Sequence, residues 1–119
     1  MCEDVIKRTV QELRAEADID FIDVSFIAES LREDLDLKTQ HDIRRHTLDV
    51  IERLMAQGVY PGDYDHALHM AFWPGEPSEH LRRIEAEWIA MGKTPTLGDP
   101  ICWLGLKPEF KTPKIHHAS

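Results

Sequence analysis

The sequence predicts a mainly helical α+β domain, on three observations. Four stretches space their apolar residues at helical intervals between capping and breaking residues. Short β-branched or aromatic runs lie between and after them. The composition, 42% hydrophobic and 30% charged, is that of an ordinary globular protein rather than a disordered one. A chain of 119 residues has room for one core and not for two ordinary domains. The expected architecture is therefore one globular domain over residues 1–110, with three to four helices, a small antiparallel β-hairpin, and a flexible tail over 111–119.

In residues 4–16, Val5, Ile6, Val10 and Leu13 fall near helical spacing with charged and amide side chains between them, which predicts a first amphipathic helix. The run Asp20-Phe21-Ile22-Asp23-Val24 favours a short extended segment. Ser25 is then expected to cap a second helix that places Phe26, Ile27, Leu31 and Leu35 on its apolar side and ends in an acidic turn. Thr39, followed three residues later by Asp42, opens the clearest helix, through Ile43, Leu48, Val50, Ile51, Leu54 and Met55, and Gly58 stops it.

Beyond it, Val59-Tyr60 fits a short strand and Pro61-Gly62-Asp63-Tyr64 has the chemistry of a turn. Residues 65–72 suit a short helix or a loop. The Pro and Gly of Trp73-Pro74-Gly75-Glu76-Pro77 break any regular element, after which Ser78 is expected to cap a fourth helix with Leu81, Ile84, Trp88, Ile89 and Met91 on its apolar side. A turn-rich loop over 94–100 leads into Ile101-Cys102-Trp103-Leu104-Gly105-Leu106, a buried strand.

The order helix, extended segment, helix, long helix, then β material resembles a winged helix, a member of the helix-turn-helix superfamily. The residues that carry the likeness are Phe21–Val24 before the second helix, Leu54, Gly58 and Val59 closing the third, and Trp103 to Pro108 where such domains end their hairpin. It covers about residues 4–60 and 101–107. Some forty residues, the fourth helix among them, stand where a winged helix has one short hairpin. The resemblance implies DNA reading through the helix over 39–57, whose first half carries Lys38, Gln40, His41, Arg44 and Arg45. Arg and Gln can make bidentate contacts to base edges.

Charge argues for a different partner. The net charge is −8, and residues 1–37 alone carry −7. Such a surface repels phosphate backbones and anionic membranes. Glu29, Glu33, Asp34 and Asp36 would flank any DNA docked on the third helix, and Arg44 and Arg45 also serve as solvated ion-pair partners for them. The same acid suits a basic protein, because complementary charge speeds association and selects partners. Size, acidity and the lack of a catalytic motif resemble the bacterial immunity proteins and antitoxins that neutralise basic toxins. Trp73, framed by Pro and Gly in a loop, is the candidate aromatic anchor alongside Glu29, Glu33, Asp34 and Asp36, although a core position suits it better.

Other chemistries find less support. His66 and His69 stand three apart near Asp63 and Asp65, a spacing that suits zinc, but no fourth ligand, Cys-x-x-Cys or His-Glu-x-x-His accompanies them, and no metal or other cofactor is expected. Neither Cys2 nor Cys102 has the setting of a nucleophile, and no phosphate-binding glycine loop occurs, so the chain is not expected to be an enzyme. Two distant cysteines and the absence of a visible secretion signal point to the cytoplasm, with no membrane partner. Several aromatics in a short domain also leave room for a homodimer.

Overall fold

The computed structural model describes residues 2–64, 69–96 and 101–110. Four helices and a four-stranded antiparallel sheet make an α+β domain, mainly α. The first helix, α1, runs Cys2–Ala17 and buries Ile6, Thr9, Val10, Leu13 and Ala17, one stripe at helical spacing. Glu3 and Asp4 sit at its positive end and Arg14 at its negative end, both favourable to the helix dipole.

A two-residue strand, β1 (Ile22–Asp23), enters α2, Val24–Asp34. The cap of α2 is Asp23 and not Ser25. The Asp23 carboxylate accepts from the Phe26 backbone N–H at 2.9 Å and from the Ser25 hydroxyl. A charged acceptor at the positive end of a helix outcompetes a hydroxyl, so the helix starts one residue before the serine. Helix α2 gives way, two residues past its end, to Asp36, which takes the left-handed conformation (φ 53°) that Asp tolerates better than most residues.

Helix α3, Gln40–Met55, begins as expected. The Thr39 hydroxyl accepts from the Asp42 N–H at 3.1 Å, and Ile43, Thr47, Val50, Ile51, Leu54 and Met55 are buried. Arg53 ties α3 to α1, reaching Glu3 through two bonds of 2.7 and 3.0 Å while also holding Asp49 on its own helix.

Strand β2 spans Val59–Tyr64, so residues 61–64 continue the strand instead of turning. Its partners explain this. β2 pairs with β4 (Trp103–Leu106) on one side and with β3 (Met70–Phe72) on the other. Gly62 serves a close backbone approach: a Cβ there would lie 2.5 Å from the Ala71 carbonyl oxygen. Pro61, which has no N–H to offer, uses its carbonyl to accept from Trp73 at 3.0 Å. Residues 70–72 are thus strand, neither helix nor loop, whereas 65–68, including His66, lie outside the described residues, as do 97–100 of the turn-rich loop and the expected tail over 111–119.

Helix α4, Pro77–Met91, is capped by Glu76 rather than Ser78. Pro77 takes the first helical position, where its missing N–H costs nothing, and the Glu79 carboxylate reaches back to the Glu76 N–H at 2.7 Å. The helix buries His80, Ile84 and Trp88 but leaves Ile89 exposed.

The strand order is β1-β4-β2-β3, with β1 joined to β4 at Ile22↔Leu104 and Asp23↔Trp103. Alternation sends Ile22, Val59, Leu104 and Leu106 inward, where α1 packs against β1 and β4 and α3 against β2. One hydrophobic cluster draws on all four helices and on three of the four strands.

Candidate functional site

The docking of α1 and α2 on either side of β1 leaves a groove of about 370 Å³ between them. Helical spacing builds its walls: Thr9, Glu12, Leu13 and Glu16 form one stripe of α1, and Phe26, Ser30 and Asp34 form one of α2. Phe21, Ile22 and Asp23 close it from below. Leu13 and Ile22 are buried, Phe21 is half-buried and Phe26 is 56% exposed. Gly105, opposite Phe21 across the β1 to β4 pairing, has no side chain, and the Phe21 ring lies over it: a Cβ there would meet that ring at 3.0 Å.

The electrostatics of this groove have one sign. Four carboxylates line it, on Glu12, Glu16, Asp23 and Asp34, and no Lys, Arg or His is among the lining residues. Asp23 is occupied in capping α2 and is only 7% exposed. Glu12, Glu16 and Asp34 are exposed and enter none of the ion pairs found among the described residues. A second hollow of about 330 Å³ shares Asp23 and Phe26 with the first and adds Glu29, Pro95 and Thr96, so that Phe26 forms a ridge between the two.

The acidic residues singled out in the sequence are divided by the structure. Asp34 stands in the groove wall and Glu29 in the neighbouring hollow. Glu29 is bound by Arg32, whose side chain also approaches Glu33 at 3.6 Å, and Asp36 is paired with Lys38 at 2.7 Å. The Arg32 guanidinium holds the Glu29 carboxyl below its ordinary range. Trp73 does not belong to this surface. It is 5% exposed, packed in the core, with the Arg83 guanidinium 3.6 Å above its ring and His80 beside it. Its loop is covered by α4, which a local reading of Pro and Gly does not reveal.

Phe26 is the groove residue that the sequence pattern hid. It reads as core of α2, yet the buried stripe runs through Val24, Ser25, Ile27, Ala28 and Leu31. Its i+4 and i+8 neighbours, Ser30 and Asp34, are polar, and that was the available signal.

The basic residues at the start of α3 do not form a clean cationic face. Lys38 is held by Asp36, Gln40 donates to the Gly92 carbonyl at 3.4 Å, and Arg45 lies 3.9 Å from Asp42. His41, Arg44 and Arg45 share a hollow of about 400 Å³ with Asp49, Glu52 and, across from them on α4, Arg82 and Glu85. Neither arginine is paired with Glu33, Asp34 or Asp36.

Among the described residues no group of three or more His, Cys, Asp or Glu is placed to hold a metal ion, and His69 is exposed on the surface. Both thiols are unbridged, Cys2 exposed and Cys102 buried, with burial pushing the Cys102 thiol well up from its ordinary value. His80 is 2% exposed, edge-on to Tyr60 at 6.1 Å, and its Nε2 has no hydrogen-bond partner. Burial is the main cause that lowers its pKa. Among the described residues no helix is long and apolar enough to cross a membrane. Comparison with protein-family models, curated proteins and solved structures finds no match to this chain.

Proposed function

We propose that this chain is a non-catalytic, acidic protein-interaction module that binds a basic protein, in the manner of a small neutraliser of a cationic toxin or nuclease. The observation that carries the reading is the α1–α2 groove, where three exposed carboxylates, Glu12, Glu16 and Asp34, and no cation line a floor of Leu13, Phe21 and Ile22. A low-dielectric floor strengthens the field of the charges above it, and a concave surface of one sign raises encounter rates with an opposite charge by roughly 10- to 1,000-fold. Exposed salt bridges add little affinity individually, so the acid would select and steer while apolar contact holds. Unbridged cysteines accord with a reducing compartment such as the cytoplasm.

The test is affinity capture from the native cell at low salt, with the chain as bait beside a variant carrying Glu12→Gln, Glu16→Gln and Asp34→Asn. The reading expects a basic protein that the chain retains and the variant does not, and that a higher-salt wash releases. A partner equally retained by both baits would overturn it.

Strand order supports a second reading. With β1 between α1 and α2, and β1, β4 and β2 adjacent in that order, the topology is compatible with a winged helix in which β3 and α4 are inserted between the hairpin strands. In that reading α3 would contact DNA through Lys38, Gln40, His41, Arg44 and Arg45. Weighing against it, α4 stands across from His41, Arg44 and Arg45, and three carboxylates share their hollow. Fluorescence anisotropy with duplex DNA at low salt separates the two. Binding lost on Arg44→Ala and Arg45→Ala would favour DNA, and no binding would leave the protein partner.

A further inference from the structure

The groove has the length of a short recognition element. Thr9 to Glu16 and Phe26 to Asp34 each cover about two helical turns, which at 1.5 Å per residue is roughly 10–12 Å of trough. Its centre is apolar and its rims are acidic. Phe26 supplies the largest exposed apolar surface there, and Glu12 and Glu16, one turn apart on α1, stand across from Asp34 on α2. An occupant that fitted only the charge would leave the Phe26 ring in water. One that fitted only the ring would bury unpaired carboxylates, at a large cost.

We propose that this groove binds a segment of a partner protein that seats one aromatic or long aliphatic side chain on Phe21 and Phe26, with a Lys or Arg on each side of it reaching Glu12 and Glu16 on one rim and Asp34 on the other. This rests on the protein-binding reading above and names its site and the chemistry of its occupant. Complementarity of charge decides among occupants. A second copy of this chain brings a net charge of −8 to a surface that is itself negative, and a nucleic acid brings phosphate. Apolar anchoring in a desolvated centre with charge at the rim is the arrangement in which one aromatic residue dominates binding.

The experiment uses the full chain, isotope-labelled, titrated with two peptides. One has a central Trp flanked on each side by a pair of arginines, and the other has Ser in place of Trp. Amide shifts give the location and the dissociation constant. The Trp peptide is expected to bind about tenfold more tightly than the Ser peptide, the equivalent of burying half a Phe ring, with shifts centred on Leu13, Ile22, Phe26 and Asp34. Phe26→Ser should erase that difference and Phe26→Leu should keep most of it. Because the ring is exposed, both variants should fold, which their own amide spectra verify. Equal binding of the two peptides, with shifts spread over Glu29, Glu33 and Asp36, overturns the anchored groove but leaves an acidic interaction module standing. Saturable binding of neither peptide overturns the groove and removes the support for the module as well. Self-association that disappears on Phe26→Ser would assign the surface to a second copy and overturn the proposal.

Discussion

Replacing Asp23 by Ala removes one side chain that does two jobs. Its carboxylate caps α2 by accepting from the Phe26 N–H at 2.9 Å, and it accepts a hydrogen bond from the Ser25 hydroxyl, which is itself buried. Loss of an N-cap costs about 0.5–2 kcal/mol. A buried hydroxyl left without a partner adds about 1–3 kcal/mol. The two contributions share one residue and are not independent, so we expect Asp23→Ala to destabilise the fold by roughly 2–4 kcal/mol. Asp23→Asn keeps an acceptor for both donors and gives up only the charge, and should cost about 1 kcal/mol or less. Ser25→Ala removes the donor along with its need for a partner and should also stay near or below about 1 kcal/mol. Urea unfolding at neutral pH, followed by far-UV circular dichroism, measures all three at a common slope. If Ser25→Ala proves more damaging than Asp23→Ala, then the serine caps α2 and the reasoning fails. Asp23→Ala within about 0.5 kcal/mol of the parent chain would mean that the start of α2 is held by packing alone.

Three further outcomes can be measured on the same chain. His80, buried beside Tyr60 and Trp73, has a folded pKa below its ordinary value of 6.5, so the unfolded chain takes up the proton first. Stability is then complete above pH 6.5 and falls as the pH drops below it towards the folded value, and His80→Phe should flatten the urea midpoint between pH 7 and 5. Gly62→Ala drives a Cβ towards the Ala71 carbonyl and should cost about 1–3 kcal/mol in urea unfolding, whereas a turn at residues 61–64 open to solvent would accept the alanine with little change. Glu16→Gln combined with Asp34→Asn should leave the urea midpoint unchanged or raised at low salt, since these carboxylates enter no ion pair among the described residues, and a clear fall would mean that they stabilise the fold.

Helix α3 was legible in the sequence because everything that defines it is local: Thr39 at its cap, an apolar stripe from Ile43 to Met55, and Gly58 beyond its end. The start of α2 was less so, since Asp23 and Ser25 both have capping chemistry, and it is the Asp23 carboxylate that accepts from the Phe26 N–H and from the Ser25 hydroxyl. Pro61-Gly62 reads as a turn from two residues alone, but the pairing of β2 with strands some ten and forty residues away makes it a strand. Tertiary contact also determines Trp73, which a guanidinium from α4 covers. The mainly helical α+β class survived these misreadings, as it depends on the periodicity of whole segments. The groove was out of reach. Glu12 and Asp34 stand on different helices, and it is the docking of both onto β1 that sets them across a trough.

The distribution of paired and unpaired acid bears on why the groove exists. Several carboxylates at a helix junction or along an exposed helix face are neutralised: Glu3 and Asp49 by Arg53, Glu29 by Arg32, Asp36 by Lys38, Glu87 by Arg83. Among the described residues Glu12, Glu16 and Asp34 receive no such partner, although they share a trough with a half-exposed phenylalanine. Like charges gathered over an apolar floor repel one another, and screening at physiological salt acts over about 8 Å. Folding alone gives no reason to keep them there, because uncharged polar residues would keep the helices soluble without repulsion. A cationic occupant turns that same repulsion into affinity, since the energy stored among the carboxylates is released when the counter-charge arrives. In the proposed complex, apolar contact with Phe26 would supply the holding force that exposed ion pairs lack.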